Sequence, residues 1–498
     1  MIDDNRSFYH ALAESLSREP GSIRLTGGGQ SFDGAALHAA IERWAGALAS
    51  LGVHAGDRVA VQAEKSIELV LLYLATLRIG AVYVPLNTAY RTAEIDYFLG
   101  DAEPAIFVCD PSAADACIGL QGCDGSLWTL DRDGGGTLAD IVAACGDQAP
   151  PASAGPDDLA AIVYTSGTTG RSKGAMITHR NLLANASALI AAWRIERGDT
   201  LLHVLPLYHI HGLFVALNTM LLAGGRTNLA AGFDSGAAIA GFARATIFMG
   251  VPTYYTRLLN ETRLNQQATE GIRLFVCGSA PLTPATFDAF EARTGHVILE
   301  RYGMSECGII CSNPIDGPRI AGAVGLPLPG VEARIGDDAA VGVLEVRGAS
   351  VFSGYWRQPE KTLSEFREDG FFITGDIATI DDEGVVRIVG REKDMVISGG
   401  LNVYPKEIET LIDLFEEVDE SAVIGLAHAD FGEAVAAVVR LHPGAALDQA
   451  AAIARLKADL AGFKLPKAVF FVDNLPRNAM GKVQKAALRE RFSCHFEA

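Results

Sequence analysis

The stretch YTSGTTGRSKG, residues 164–174, constrains this chain more than any other. It follows Leu159-Ala160-Ala161-Ile162-Val163, an apolar run of strand length, and then loses side-chain bulk abruptly. So bare a backbone can approach a ligand closely. Glycines permit positive φ, successive N–H groups form an anion-binding concavity, hydroxyls add donors, and Lys173 adds a point charge. The pattern predicts a strand running into a polyphosphate cradle made by Thr165, Ser166, Gly167, Thr168, Thr169, Gly170, Arg171, Ser172 and Lys173. It is not a G-x-x-x-x-G-K-[ST] loop, because Gly174 follows the lysine and no hydroxyl stands there to hold a metal.

Around this stretch, helical spacing alternates with short apolar runs. Helices are expected at 8–19, 36–53, 66–79, 91–99 and 180–193, and strands at 56–61, 82–86, 105–109, 201–206, 247–252 and 273–278. Such alternation argues for parallel sheets flanked by helices. Residues 131–158, rich in Gly, Pro, Ala and Asp, read as a surface connection. From about 318 to 390, short strands with Gly and Pro turns suggest a small β-barrel or a twisted sheet. Residues 393–498 read as a compact α+β module with a helix at 448–462. A chain of 498 residues exceeds what one core usually serves. The expectation is therefore an α/β protein with a large N-terminal domain, 1–392, and a small mobile lid, 393–498.

Composition excludes several classes. A net charge of −19 disfavours a nucleic-acid surface, though a local cluster of Lys and Arg can still hold an anion. The eight cysteines form no Cys-x-x-Cys pair and have no His at metal-ligand spacing, which fits a reducing compartment. The opening MIDDNRSFYH is polar and acidic where a signal peptide is basic and then apolar, and the apolar runs are too short to span a bilayer. A cytoplasmic protein without membrane or nucleic-acid partners is expected.

Further strings follow in order: PLYHIHGL at 206–213, ERYGMSE at 300–306, TGD at 374–376, GREKDMVISGGLNVYPKEIE at 390–409 and PRNAMGKVQK at 476–485. With the phosphate loop they make the chain resemble the adenylate-forming superfamily of acyl-CoA synthetases, luciferases and adenylation domains over nearly its whole length. The resemblance implies a two-step reaction. A carboxylate and ATP give an acyl-adenylate and pyrophosphate, with Mg2+; a thiol, here coenzyme A, then attacks the mixed anhydride.

On their own chemistry, Tyr302 can offer a flat face to a purine, Glu306 can hold Mg2+ through oxygen, and Asp376 can accept both ribose hydroxyls. An ammonium such as Lys482 can stabilise charge building on the α-phosphate. The resemblance puts Tyr302 under adenine with Gly303 and Ser305 beside it, Glu306 on the metal, and Ser279 and Ala280 in an adenine-side loop. It also puts Asp376 and Arg391 at the ribose. It makes Lys482 the adenylation lysine, whose reversible acylation would silence the first step. It makes Lys393 the hinge, and has Gly399, Gly400 and Leu401 border the CoA tunnel. The basic set Lys464, Lys467, Arg477, Lys485 and Arg489 meets either CoA phosphates or only solvent.

The family position of His209 walls the acyl pocket, whereas His211 better suits a core histidine. Pocket size is expected to depend on Gly278, Met304 and Ser305. Arg301 can pair with a second carboxylate of the acid in bidentate geometry, and Arg257 is the other candidate. The strings GYWRQPEKT, FREDGFFITGD and HADFGEAV narrow the resemblance to bacterial malonyl-CoA synthetases. Ser305, Cys307 and the run 308–311 depart from that pattern beside the acyl pocket. The expected activity is a malonate–CoA ligase. The alternatives are a ligase for methylmalonate, acetate or an aryl acid, and a carrier-loading protein that releases no acyl-CoA.

Overall fold

A helix that is apolar on every side has to lie between layers, and Ile67–Arg78, IELVLLYLATLR, buries every residue except Glu68. It shares one core with Val59 and Tyr83 of one sheet and with Leu25 and Leu229 of another, so it is packed between the two. This computed structural model describes residues 6–121, 126–146, 154–165, 172–336, 339–398, 401–428, 431–477 and 482–496.

The first sheet has six strands, in the order Leu127–Thr129, Ile106–Cys109, Arg58–Gln62, Val82–Pro85, Leu159–Thr165 and Lys173–Thr178. All its ladders are parallel except the last, where Thr165 pairs with Lys173 across an antiparallel hairpin. The second sheet has nine strands. Leu299–Met304, Leu274–Cys277, Ile247–Gly250, Thr200–His203, Arg226–Leu229 and Ile23–Gly27 run parallel, and antiparallel strands close both edges. The carboxyl ends of these parallel strands, at Thr165, His203, Cys277 and Met304, therefore carry the segments singled out by sequence.

Residues 331–391 form a curled antiparallel sheet of four strands, Val331–Ile335, Gly342–Gly348, Phe372–Ile380 and Val386–Arg391. This is the region expected to be a small β-barrel or a twisted sheet. The separate C-terminal unit pairs Val418–His428 with Gly432–Leu441 and sets Ala468–Phe471 parallel beside the latter. Its helices are Pro405–Ile412, Gln449–Leu456 and Lys485–Phe492, the second shorter than the expected 448–462. Among the described residues no helix is long and apolar enough to cross a membrane.

The connection expected at 131–158 is not all irregular. Thr137–Ala144 is a helix with Leu138 and Val142 buried. Leu138, Ile141 and Val142 stand at i, i+3 and i+4, a helical stripe that the surrounding Gly and Asp obscured.

Candidate active site

The hairpin expected to cradle a polyphosphate leaves the sheet at Thr165 and rejoins it at Lys173. Ser166, Gly167, Thr168, Thr169, Gly170 and Arg171 lie outside the described residues. Ser172 is tied by its carbonyl, which accepts from Tyr97 Oη at 2.7 Å. Thr165 Oγ1 lies 3.5 Å from Glu306 Oε1, bringing the first and third motifs together across 141 residues. Glu306 is buried, and burial, with Glu365 adding to it, pushes its carboxyl above the ordinary value, although the Tyr355 hydroxyl oxygen stands 3.1 Å from its Oε1.

Gly303 has to be glycine, because a Cβ there would stand 2.1 Å from the Gly308 carbonyl oxygen in the hairpin that turns the chain back after Met304. That hairpin presents Tyr302, whose phenol donates to Asp376 Oδ2 at 2.5 Å. Burial raises the Tyr302 phenol, and the charge of Asp376 raises it further. Asp376 Oδ1 takes Arg391 Nε at 2.9 Å. Gly375, at φ +68°, provides the left-handed turn immediately before Asp376.

Lys482 reaches this cluster from the C-terminal unit. It is open to solvent, yet surrounded closely enough that desolvation, then the charge of Arg391, lowers its pKa to about 8 against the pull of Asp376 and Glu306. The same crowding brings His209 to about 3, by burial first and then by the charges of Lys482 and Arg301. His209 is therefore a neutral imidazole at pH 7. Its Nδ1 accepts the His211 backbone N–H at 3.2 Å.

Arg301 is 5% exposed. Its Nη2 donates to Ser279 Oγ at 3.4 Å, its Nε has no partner, and no carboxylate of the described residues lies within ion-pairing distance. Burial lowers this guanidinium to about 10. Gly278 makes room for it, since a Cβ there would stand 2.6 Å from Arg301 Cζ. Ser279, held at φ +74°, also meets His211 Nδ1 at 3.2 Å, and His211 Nε2 has no partner among the described residues. Ala280, Met304 and Ser305 are half-buried in the same two loops.

Arg257 is not in this group. It is exposed on the helix Pro252–Leu259 and lines a cavity of about 350 Å³ with Lys65, Tyr208, His209, His211 and Tyr254. His209 and His211 thus line that cavity, and His211 meets the Ser279 hydroxyl that Arg301 also reaches. Leu401 is 49% exposed on the C-terminal hairpin and does not line this cavity, while Gly399 and Gly400 lie outside the described residues. Lys393 is exposed in the short turn Glu392–Asp394 that links the curled sheet to the C-terminal unit. Of the basic set, Lys464, Arg477, Lys485 and Arg489 pair with Glu407, Glu420, Glu409 and Asp394, and Lys467 lies over Phe431.

Three residues at the site carried no sequence signal of their own. Tyr355 lies in GYWRQPEKT, which carries part of the resemblance but assigns the tyrosine no role, and Glu365 is one acid among several nearby. Lys65, buried on the cavity wall, donates to the His203 carbonyl at 2.8 Å and to His203 Nδ1 at 3.0 Å.

Known proteins are similar to this chain in sequence and fold. The AMP-binding enzyme family matches residues 12–356, and the AMP-binding enzyme C-terminal domain matches residues 407–482. The crystal structure of ATP-bound MatB from Rhodopseudomonas palustris is 50% identical and aligns with a TM-score of 0.95, covering 99% of this chain and 100% of that one. Malonate–CoA ligase of Arabidopsis thaliana is 35% identical over 477 residues, 87% of this chain and 78% of the relative. Feruloyl-CoA synthase of an Amycolatopsis species is 33% identical over 484 residues, 95% of this chain and 96% of the relative. The acids named for the two curated relatives differ, while the two family models together span most of the chain, and on that ground the chain belongs to the AMP-binding enzyme family as an AMP-forming acyl-CoA ligase.

Proposed function

We propose that this ligase activates malonate, forming malonyl-adenylate from ATP and then malonyl-CoA. The observation that carries the reading is Arg301, a buried guanidinium with an orphan Nε and no carboxylate partner among the described residues. A buried cation is costly unless an anion meets it, and a planar fork suits a carboxylate. Malonate supplies one carboxylate to Arg301 and leaves the other for the phosphorus. A monocarboxylic acid would leave the guanidinium with the Ser279 hydroxyl and no anion among the described residues.

In the first step a malonate oxygen attacks the α-phosphorus and pyrophosphate leaves. Asp376 and Arg391 hold the ribose, Tyr302 lies under adenine, and the ammonium of Lys482 meets charge developing on the α-phosphate. Neutral His209 walls the acid pocket without repelling Arg301. Glu306 with Thr165 Oγ1 offers hard oxygen donors of the kind Mg2+ prefers, and one such carboxylate suits an ion held mainly by phosphates. Bound there, the ion would neutralise polyphosphate charge. In the second step the CoA sulfur attacks the acyl carbon, the carbon–oxygen bond to phosphate breaks, and AMP leaves. The lid, residues 393–498, turns about Lys393 between the steps, taking Lys482 away and bringing the 399–401 segment to the site.

The test is a panel of acids with ATP and CoA, reading pyrophosphate release and thioester mass. Malonate should lead, with methylmalonate next and acetate and aryl acids far behind. Preference for a monocarboxylic acid would overturn the malonate reading, and adenylate formation without a CoA thioester would make the chain a carrier-loading protein instead.

A further inference from the structure

Lys173, the cation of the phosphate cradle, is already engaged. Its Nζ lies 3.3 Å from Glu365 Oε1 and 4.7 Å from the ring centroid of Tyr355. Tyr355 Oη donates to Glu365 Oε2 at 2.7 Å, and Lys361 Nζ reaches the same Oε1 as Lys173, at 2.5 Å. The pair is well shielded, with side-chain exposures of 12% for Lys173 and 19% for Glu365. The geometry is built in through the backbone. Trp356 N–H donates to the Gly174 carbonyl at 2.8 Å and Ala175 bridges to Tyr355, so the segment carrying Tyr355 is locked beside the strand that starts at Lys173.

Two cations on one carboxylate oxygen, one of them a ligand-binding group, describe a competition. We propose that Glu365 is a positioning residue that holds Lys173 off the polyphosphate until nucleotide arrives and reclaims it when pyrophosphate leaves. Lys361 weakens that hold by occupying the same oxygen. The proposal rests on the reading of Thr165–Lys173 as the polyphosphate site. Its consequence is specific: breaking the Lys173–Glu365 pair is a cost that only ligands with β- and γ-phosphates incur. Apparent affinity for them is reduced by the fraction of molecules in which Lys173 is held, while AMP is unaffected.

The test is calorimetric binding of ATP and of AMP to the full chain. Glu365→Gln keeps an acceptor for Tyr355 but drops the charge, and ATP should bind roughly three- to tenfold more tightly with AMP unchanged. Lys361→Met removes an exposed side chain and should act in the opposite direction, weakening ATP roughly two- to threefold, because Glu365 is then left to Lys173 alone. In a Lys173→Met background neither change should move ATP affinity. A Glu365→Gln protein that binds ATP no more tightly than the parent, or Lys361→Met without effect on ATP, overturns the latch. A parent that binds ATP no better than AMP overturns the cradle itself.

Discussion

Asp376 and Arg391 face each other across two adjacent strands, in register and joined by a 2.9 Å ion pair, although 15 residues separate them in sequence. The turn between those strands brings the TGD string to the start of the string that opens the C-terminal unit. Tyr302 closes on the same carboxylate from another sheet. Asp376 is thus aimed from both sides, and Lys482 arrives beside it from a third element.

Arg301→Ala should raise KM for malonate by roughly a hundredfold, the loss of one buried charge-assisted contact, and leave KM for ATP within about twofold. Thermal stability should not fall, because among the described residues the guanidinium has no carboxylate partner to lose. Pyrophosphate release measured at varied malonate and ATP checks both; an unchanged malonate KM removes the diacid argument.

Gly278→Ala should act as a milder copy of that change. The new Cβ, 2.6 Å from Arg301 Cζ, displaces the far end of a flexible side chain and no backbone, so the protein should fold and lose malonate affinity selectively. Acid-dependent kinetics and a melting curve together separate this from general damage.

Lys482→Ala should slow adenylation by about 10²- to 10³-fold and spare thiolysis of supplied malonyl-adenylate. The active form is the ammonium, and its pKa is about 8, so the adenylation rate should fall as pH rises through 8. Lys482→Arg should move that alkaline limb upward. ATP–pyrophosphate exchange across pH reads the limb directly, and a profile identical in the arginine variant would contradict the assignment.

Glu300 is buried, and burial raises its carboxyl to about 7 despite the Gly322 N–H it accepts and the charge of Lys406. A carboxyl whose folded pKa lies above its unfolded value binds more protons folded, so its contribution to stability falls as pH rises from about 4.5 to 7. Glu300→Gln keeps the hydrogen bond and should stabilise the protein by up to about 3 kcal/mol at pH 8 and by nearly nothing at pH 4. Melting temperatures at the two pH values check the sign.

The helices and parallel strands were legible because burial imposes periods of 3.6 and 2 that survive in the sequence, and the hairpin between Thr165 and Lys173 was legible because an apolar strand there gives way abruptly to small residues. The helix Thr137–Ala144 was hidden by Gly and Asp on either side of a three-residue apolar stripe. The placement of Arg301 against Gly278, of Glu365 on Lys173, and of Arg257 on one cavity with His209 and His211 could not be read from the string. Each depends on which strands lie side by side, and pairing between residues 192 apart, as for Lys173 and Glu365, follows from the packing of whole sheets and leaves no local pattern. Sequence dictated which chemistry the chain carries; only the folded layers decided which charges meet and left the Arg301 guanidinium buried with no carboxylate beside it among the described residues.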